Sequence, residues 1–439
     1  MPMANDVREK TRELQIKLYL AAKRSPNRRF HALYDKVHRK DFMQRGWEEV
    51  RRNRGAPGVD GVTIEEVERA GVEEFLDELA AELREGSYRP MPVRQCLIEK
   101  TGRPGEYRSL GIPAIRDRVV QAAAKAVLEP IFEADFLDCS WGFRPKRSAH
   151  GALEVVRQGI QKGQRWVVDA DIARFFDTIR WDVVREALKE RISDRRVLKL
   201  IQGWMTAGVL AEGGSLLHPE AGTPQGGVIS PLIGNVVLHR LDRQWQERCW
   251  SLGTLIRYAD DLVILCPTRA KAEASLAALI QILAELGLEL GAAKTRLVDM
   301  RDGGEGFDFL GFHHRWVKSF TRKGQCFCAR WPSRRAEQAA RQKIRQHTDR
   351  RLRNLAAEDV VKRLNRFLVG WRNYFRHGNS TQVFHALDRF VEDRMARWLT
   401  GKHGHHGFGL GLAILSRNDR LGLVTLVGNV RYGAAYAAR

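Results

Sequence analysis

The stretch TLIRYADDLVILC (254–266) carries two adjacent aspartates, Asp260 and Asp261, between two runs of aliphatic and β-branched residues. Two neighbouring carboxylates are costly to bury without partners, so the chain is expected to turn there and expose them. This pattern predicts a tight β-hairpin whose strands are buried and whose tip holds the acids. An isolated aspartate pair can also simply cap a strand or a helix, so the pattern alone leaves both interpretations open.

A second strand with acidic residues is expected in VVDADIARFFDTI (167–179). Side chains alternate along a strand, so Asp169 and Asp171 lie on one side and the apolar residues on the other. If Asp171 lies beside Asp260, their like charges require divalent cations between them, and Mg²⁺ prefers carboxylates combined with substrate phosphates. The two segments together therefore predict a phosphoryl-transfer site with two Mg²⁺ ions.

The charge of the chain is unevenly distributed along the sequence. The net charge is +21, of which residues 1–54 carry +8, residues 55–312 carry −5 and residues 313–439 carry +18. A slightly acidic centre between basic flanks indicates a catalytic body that holds cations and arms that bind a polyanion. The alternative, that lysine and arginine merely solubilise helix faces, explains the charge but not its segregation.

Length and composition exclude several classes of protein. The 439 residues, 44% of them hydrophobic, suffice for about three folding units with buried cores. The most apolar helical candidate, SLAALIQILAELGLEL (275–290), contains two glutamates, and no continuous apolar segment typical of a secretory signal begins the chain. The six cysteines include no CxxC pair. We therefore expect no membrane partner, no disulfide framework, no zinc site and a cytoplasmic location.

The coarse pattern predicts an α+β protein. A loop is expected over RNRGAPGVDGVT (52–63), because glycine and proline are frequent there. One helix is expected over roughly 65–84. The central block alternates short apolar strands with helices but lacks regular βαβ spacing. From about residue 333 the pattern is helical and basic, and the Gly-rich tail contains a β-like run, LGLVTLVG (421–428).

Beyond these patterns, the sequence resembles group II intron-encoded reverse transcriptases of the bacterial type. The YADD segment and DADIARFFD (169–177) resemble the catalytic segments of reverse transcriptases, and residues 52–63 resemble the N-terminal extension motif of the intron-encoded enzymes. Further similarities follow in the expected order: the fingers motifs PVRQCLIEK (92–100), RSLGIPAIRDRVVQ (108–121) and SWGFRPKRSAHGAL (140–153), the template-supporting AGTPQGGVISPLIGNVVL (221–238), the palm motifs LELGAAKTRLV (288–298) and GFDFLGF (306–312), and the maturase segment LNRFLVGWRNYFRHGNS (364–380).

The resemblance implies a right-hand polymerase with fingers and palm of reverse-transcriptase type, followed by an α-helical thumb/maturase domain. It implies catalytic and metal-binding roles for Asp171, Asp260 and Asp261, which would hold two Mg²⁺ ions, and leaves Asp169 structural. Lys294 lies where such polymerases place a possible general acid for the pyrophosphate leaving group. A solvated surface lysine is the alternative at that position.

The resemblance also implies aromatic residues at the nucleotide site. Phe176 lies where the family's steric gate excludes a ribose 2′-OH, which selects deoxynucleotides by a clash. Phe175 is the second candidate, and either ring could instead belong to the core. Tyr258 is expected to pack near the primer end.

Cations and a glycine-rich loop complete the implied nucleotide site. Arg108 is the preferred cation for the triphosphate. Arg116 is either a second such cation or the structural partner of Asp117 or of another acid. The remaining expected nucleotide-binding residues are Lys100, Gln225 and Gly226, and a plain turn is the alternative for the Gly-Gly pair.

RNA contacts are expected in the basic helical part of the chain. Arginine next to aromatic residues suits RNA, whose bases stack and whose phosphates need cations. Trp371 and Phe375 are expected in the helix core rather than at the RNA. The expected RNA-binding residues are Arg341, Lys343, Arg345, Arg353, Arg372 and Arg376.

The predicted domain order is an N-terminal extension (1–68), reverse transcriptase fingers and palm (69–318), a thumb/maturase domain (319–400) and a small basic DNA-binding tail (401–439). Many relatives carry a C-terminal His-Asn-His endonuclease with paired cysteines, which this sequence lacks. We therefore expect no second-strand nicking by this chain.

The expected activity is RNA-directed DNA polymerisation, combined with binding of the parent intron RNA to promote splicing and retromobility. The expected partners are group II intron RNA, a DNA target and primer, and deoxynucleoside triphosphates. Two alternatives remain: a domesticated group II-like reverse transcriptase with a role in defence or repair, and an RNA-binding splicing factor without polymerase activity. The oligomeric state is not indicated by the sequence.

Overall fold

The computed structural model describes residues 4–99, 105–301, 303–319 and 324–431, so the predicted nucleotide-binding residue Lys100 lies outside the described residues. The chain divides into two compact units. One comprises residues 1–99, 106–149 and 168–297, and the other comprises residues 100–105, 150–167 and 298–439. The four predicted domains are not tested by this division and stay predictions.

Helices and strands follow one another along the chain in the mixed order that the sequence predicts. The helices are α1 (Ala4–Arg24), α2 (Tyr34–Val37), α3 (Lys40–Asn53), α4 (Ile64–Ala70), α5 (Val72–Glu85), α6 (Ile115–Glu133), α7 (Ala149–Gln161), α8 (Phe175–Thr178), α9 (Trp181–Lys189), α10 (Arg195–Thr206), α11 (Ser230–Gln244), α12 (Arg269–Glu285), α13 (Arg334–His347), α14 (Ala357–Phe375), α15 (Thr381–Lys402) and α16 (Gly409–Arg417). The strands are β1 (Val93–Glu99), β2 (Tyr107–Ile112), β3 (Trp166–Asp171), β4 (Val209–Leu210), β5 (Leu216–Leu217), β6 (Thr254–Tyr258), β7 (Asp261–Cys266), β8 (Arg296–Asp299), β9 (Phe307–Phe309), β10 (Phe312–Lys318) and β11 (Cys326–Pro332). The predicted α+β class is confirmed.

The helix predicted over roughly 65–84 is in fact two helices, α4 and α5. Thr63 and Glu66 form a capping box that starts α4, since the Thr63 hydroxyl accepts from the Glu66 N–H and the Glu66 carboxylate accepts from the Thr63 N–H. Gly71 separates the two helices with a φ of 114°, a conformation that other residues rarely adopt. The apolar spacing continues across this break, which is why the pattern resembles that of one helix.

The core of the first unit is built around helix α6. This helix is buried along most of its length and packs against α1 and α3. Two sheets accompany the helices. Strands β1, β2, β4 and β5 form a sheet in the order β2-β1-β4-β5, and a second sheet has the order β6-β7-β3-β8. The second sheet places the ends of β3, β6 and β7 beside one another.

The second unit combines a small antiparallel sheet with helices. Strands β9–β11 pair in the order β11-β10-β9, and the helical part comprises nearly all of α7 together with α13–α16. His314 on β10 is completely buried and stacks on Phe307 with ring centroids 5.0 Å apart. Within the described residues neither of its ring nitrogens has a hydrogen-bond partner. Among the helices described, none is long and apolar enough to cross a membrane.

The strand predicted over LGLVTLVG (421–428) is absent, because side chains take the backbone hydrogen bonds that a strand partner would take. The Asp388 carboxylate on α15 accepts from the N–H groups of Leu426 at 3.0 Å and Val427 at 3.1 Å. Asn365 on α14 accepts from the Val424 N–H at 3.1 Å and donates to the Gly422 carbonyl at 2.8 Å. The segment therefore begins in a short 3-10 helix that ends at Gly422 and continues as an irregular loop held on two helices.

His314 should make the protein sensitive to mild acid. Burial, together with the charge of Arg330, lowers the pKa of His314 to about 3. The folded state thus binds fewer protons than the unfolded state below the ordinary histidine pKa of about 6.5. This stabilisation is fully present above that pKa and is lost as the pH falls toward 3. We expect the His314 contribution to the free energy of unfolding to fall by about 2 kcal/mol between pH 7 and pH 5.

The measurement is urea unfolding of the wild type and His314→Phe at both pH values. The variant keeps an aromatic ring on Phe307 but cannot be protonated at this position. Its unfolding free energy should therefore fall by about 2 kcal/mol less than that of the wild type between pH 7 and pH 5. Identical pH dependence in the two proteins would contradict the assignment.

Candidate active site

The hairpin predicted from TLIRYADDLVILC is present. Strands β6 and β7 pair antiparallel with Tyr258 opposite Asp261, and Ala259 and Asp260 form the connection. Apart from the two ends, both strands are buried. Ala259 has a φ of 56°, the left-handed region that residues with a side chain seldom occupy, so something must hold the tip in this conformation.

A buried arginine holds the hairpin tip in this conformation. Arg257 on β6 and Asp242 on α11 are both completely buried and form a bidentate ion pair, with distances of 2.8 Å from Nε and 2.5 Å from Nη2 to the two carboxylate oxygens. The same guanidinium donates to the Asn235 side-chain oxygen at 3.0 Å, the Ser140 hydroxyl at 2.7 Å and the Ala259 carbonyl at 3.0 Å. All five donors of the guanidinium are therefore used.

These residues were not among the sequence-predicted site residues. A signal was available, since Arg257 interrupts an otherwise apolar strand, and a charge in a buried strand requires a partner. The identity of the partners was not readable, because Ser140, Asn235 and Asp242 come from two distant segments of the chain. Their arrangement makes Arg257 a positioning residue for the hairpin tip.

The end of β3 brings Asp171 into the same part of the unit. Its carboxylate accepts from Lys294 Nζ at 2.5 Å, and its backbone carbonyl accepts from the Gly291 N–H at 2.7 Å. Lys294 is thus an ion-pair partner rather than an isolated surface lysine. On the same strand, Asp169 accepts from Arg296 Nε at 3.1 Å, which agrees with its expected structural role.

Both aspartates of the hairpin have raised pKa values. Loss of solvation is the largest cause for both hairpin aspartates, even though part of Asp261 is open to solvent. The pKa of Asp260 is raised, with Asp171 contributing and with Arg108 and Lys294 opposing. Desolvation and the charges of Asp260 and Asp171 raise the pKa of Asp261 to about 7. The three predicted catalytic aspartates are therefore close enough to repel one another.

Hard oxygen donors that repel one another fit a divalent cation such as Mg²⁺. Among the described residues, however, no three acidic, histidine or cysteine side chains are already arranged to hold one metal ion. The Lys294 ammonium occupies the Asp171 carboxylate instead. A cation at this site would therefore have to compete with Lys294, and Asp171, Asp260 and Asp261 are the residues that would hold it.

Two adjacent phenylalanines differ in burial. Phe175 is 2% exposed and its ring faces Gly234 of α11, so it belongs to the core. Phe176 is half-buried, its ring centroid is 5.1 Å from that of Phe175, and its backbone carbonyl accepts from the Thr223 N–H at 2.7 Å. Of the two steric-gate candidates, Phe176 is the one that a nucleotide could reach.

The loop that contains Gln225 and Gly226 lies against strand β2. The Gln225 carbonyl accepts from the Gly111 N–H at 2.7 Å, and its side chain donates to Asp177 at 3.3 Å. Gly226 has a φ of 118°, and a Cβ there would lie 2.5 Å from the Gly111 carbonyl oxygen. Only glycine fits this approach of two backbones.

The two predicted fingers arginines lie in different surroundings. Arg108 on β2 is exposed, and its charge acts on Asp260. Arg116 on α6 pairs with Glu82 and lies 5.5 Å from the ring centroid of Tyr88. Of the two roles left open for Arg116, the structure therefore favours pairing with another acid, and it does not bring this arginine to the aspartates.

The predicted RNA-binding residues of the second unit differ in exposure: some are exposed to solvent, and others are half-buried and contact other residues of the unit. Lys343, Arg345 and Arg353 are exposed. Arg341 pairs with Glu337 at 2.8 Å and lies over the Phe390 ring. Arg372 donates to the Thr425 carbonyl at 3.0 Å.

Arg376 differs from the three exposed cations in its burial. It is half-buried, and its backbone carbonyl accepts from the Arg431 N–H at 2.7 Å. As expected, Trp371 and Phe375 lie in the helix core. The exposed cations among the six thus lie on α13 and in the segment between α13 and α14.

Two parts of the chain match known protein families. Residues 98–314 match the family described as reverse transcriptase (RNA-dependent DNA polymerase), and residues 337–410 match the group II intron, maturase-specific domain. Protein YkfC of Escherichia coli (strain K12) is 34% identical over 353 residues, which cover 71% of this chain and 90% of YkfC. Group II intron-encoded protein LtrA of Lactococcus lactis subsp. cremoris is 35% identical over 214 residues, which cover 49% of this chain and 35% of LtrA. Among solved structures, a partial Cas6-RT-Cas1–Cas2 complex is similar over 58% of this chain and 41% of that chain, at 22% identity and a TM-score of 0.36.

The Arg257–Asp242 pair should be essential for stability. In Asp242→Asn the charge of Arg257 stays buried without its counter-charge, which is expected to cost roughly 3–5 kcal/mol of unfolding free energy. Asp182→Asn is the matched control, because Asp182 and Arg180 form an ion pair with both side chains more than half exposed. Its loss should leave the unfolding free energy close to that of the wild type, because exposed ion pairs contribute little to stability. Urea unfolding followed by tryptophan fluorescence compares the two, and equal costs would show that Arg257 does not depend on Asp242.

Proposed function

Because this chain belongs to the group II intron-encoded reverse transcriptase family, as an RNA-directed DNA polymerase with a maturase domain, we propose that it copies intron RNA into cDNA and binds that RNA to promote splicing and retromobility. The proposed substrates are deoxynucleoside triphosphates and a DNA primer, and the DNA target is a further proposed partner. We expect the protein to act in the cytoplasm, in association with nucleic acid.

The observation that carries the polymerase proposal is the convergence of Asp171, Asp260 and Asp261 from two strands. Their mutual repulsion favours a cation over an empty site, and Arg108 and Lys294 add positive charge at the same place. A cluster of this kind suits a reaction in which negative charge develops on phosphate oxygens.

In the proposed reaction, the primer 3′-OH attacks the α-phosphorus of the nucleotide, a new P–O bond forms, and the bond to pyrophosphate breaks. The three aspartates would hold two Mg²⁺ ions, which would lower the pKa of the attacking hydroxyl and stabilise the leaving oxygen. Arg108 would bind the triphosphate through its guanidinium. Lys294 Nζ carries a proton that it could give to the leaving pyrophosphate once nucleotide binding separates it from Asp171.

Selection of deoxynucleotides is assigned to Phe176. Its ring is half-buried and is backed by Phe175 and Gly234, so it cannot move deeper into the core to make room for a 2′-OH. The Gln225–Gly226 backbone, fixed on Gly111, would support the nucleotide and the template base. Tyr258, at the end of β6, is assigned to the primer end.

The maturase part of the proposal depends on exposed positive charge. Lys343, Arg345 and Arg353 are exposed to solvent, so phosphates can reach them. Arg341 and Arg372 are engaged within the unit and Arg376 is half-buried, so their contribution to RNA binding is expected to be smaller than the sequence alone indicates.

Asp260→Ala should abolish cDNA synthesis, because the variant lacks a carboxylate that holds the cations. Primer extension on an RNA template with all four deoxynucleotides and Mg²⁺ measures this. Binding of single-stranded RNA, measured by fluorescence anisotropy, should persist. Asp169→Asn is the matched control, since Asp169 lies on the same side of β3 but pairs with Arg296.

The control variant is expected to retain synthesis within a few-fold of the wild type. If Asp260→Ala still extends primers, the site assignment is wrong. If Asp169→Asn is equally inactive, the effect of Asp260→Ala reflects the strand and hairpin as a whole rather than cation binding.

Exposed cations of α13 should set the salt dependence of RNA binding. Replacing Lys343 and Arg345 by Gln should reduce the magnitude of the slope of log K against log salt by about 0.7 for each phosphate that the protein then fails to neutralise. Arg372→Gln is the control and should leave the slope unchanged, because its guanidinium donates to the Thr425 carbonyl. Anisotropy titrations of a fluorescein-labelled single-stranded RNA at several salt concentrations give the slopes, and an unchanged slope in the double variant would remove α13 from the interface.

A further inference from the structure

Residues 140–147 form a loop that is held tightly against the catalytic hairpin. Ser140 and Arg257 form a bridge of parallel β type, and the Trp141 N–H donates to the Arg257 carbonyl at 2.8 Å. Asn235 donates to the Gly142 carbonyl at 2.8 Å. A Cβ at Gly142 would lie 2.5 Å from the backbone nitrogen of Ala259, so the loop touches the turn of the hairpin directly.

The next residue of this loop presents a large apolar side chain to solvent. Phe143 is 56% exposed, and its ring centroid lies 6.3 Å from that of Tyr258. Its φ is 55°, a left-handed conformation that is unfavourable for a bulky residue. On the far side, Arg144 is buried and anchors the loop through Glu133 and the carbonyls of Leu137 and Ser140.

Burial of apolar surface therefore does not explain the position of Phe143. Strained backbone that the surroundings hold in place is commonly found where a side chain must be presented to a ligand. Here, the hydrogen bonds on both sides of Phe143 fix the loop, and the ring they present is exposed rather than packed. Its neighbours are Tyr258 and the hairpin that carries Asp260 and Asp261.

The same loop also carries an exposed cation. Lys146, also in a left-handed conformation with a φ of 59°, is exposed. Within the part of the chain that the structure describes, it makes no ion pair. An aromatic face next to an exposed cation is the combination that binds a nucleic-acid strand, because bases or sugars pack on the ring and phosphates meet the charge.

We propose that Phe143 and Tyr258 form a packing surface for the 3′-terminal nucleotide of the primer, with Lys146 contacting the phosphate backbone of the same strand. The inference rests on the proposed function, which requires the primer 3′-OH at the carboxylates of the hairpin tip. The terminal nucleotide must then lie beside the residues that touch the turn, and Phe143 follows Gly142, which touches it. The incoming nucleotide is assigned instead to Arg108, Phe176 and the Gln225–Gly226 loop.

The experiment measures binding of a DNA primer annealed to an RNA template, and single-nucleotide extension of that primer. Phe143→Ala should weaken primer–template binding, and raise its KM, roughly 5- to 150-fold, as expected when one base no longer stacks on an aromatic ring. The KM for the deoxynucleotide should stay within two-fold. Phe143→Tyr and Phe143→Trp keep a ring and should restore binding.

A second variant separates this role from a structural one. Phe143→Gly removes the ring but also relieves the left-handed backbone, so its melting temperature should be no lower than that of the wild type. We nevertheless expect it to bind primer–template as weakly as Phe143→Ala. Trp250→Ala is the matched control, because Trp250 is 72% exposed in the same unit but precedes the start of β6, the end of that strand opposite to Tyr258. It should bind normally.

The primer itself provides the most direct test. With an abasic nucleotide at the primer 3′ end, the wild type should lose affinity to the level of Phe143→Ala, and the variant should lose little more. If the abasic nucleotide weakens primer binding by Phe143→Ala as much as it weakens binding by the wild type, the proposal is overturned. Unchanged primer binding in Phe143→Ala would also overturn it, and so would a rise in the KM for the deoxynucleotide in place of a rise in the KM for the primer. Primer binding needs no catalysis, so retained synthesis in Asp260→Ala would defeat the proposed function, whereas normal primer binding in Phe143→Ala would defeat this inference alone.

Discussion

The geometry of the candidate active site depends on the burial of a single charge, that of Arg257. A guanidinium placed in a protein interior must have its charge balanced and its donors satisfied, or the folded state loses several kcal/mol. Asp242 balances the charge, and Asn235, Ser140 and Ala259 accept the remaining hydrogen bonds. Because those acceptors belong to α11, the 140–147 loop and the hairpin turn, one side chain fixes three parts of the first unit relative to each other.

This constraint explains how the hairpin turn can keep an unfavourable conformation. Ala259 is held in the left-handed region while its carbonyl accepts from Arg257 and its nitrogen lies against Gly142. The carboxylates of Asp260 and Asp261 are thereby kept near Asp171 although all three repel one another. Fixing repelling charges costs stability, and a site fixed in this way is ready for a cation without further rearrangement of the backbone.

The second unit distributes its large positive charge between two uses. Some arginines serve the fold: Arg372 donates to the segment that follows α16, and Arg341 pairs with Glu337. Others, such as Arg345, remain exposed. Counting cations in the sequence therefore overstates the positive charge that can meet phosphates, because guanidinium groups also donate to carbonyls and carboxylates of the protein itself. The match to the maturase-specific domain spans both kinds of residue.

Several features were determined by the sequence alone. The buried hairpin at 254–266, the placement of Asp169 and Asp171 on one side of β3 and the α+β class follow from local patterns of apolar and acidic residues, which act over a few positions. The break at Gly71, the loop at 421–428 and the role of Arg116 were decided by tertiary structure. In each case a backbone angle or a partner from a distant segment outweighed the local pattern. The same holds for Arg257 and Phe143, whose functions depend on which groups the fold brings beside them, and spacing along the chain carries no information about that.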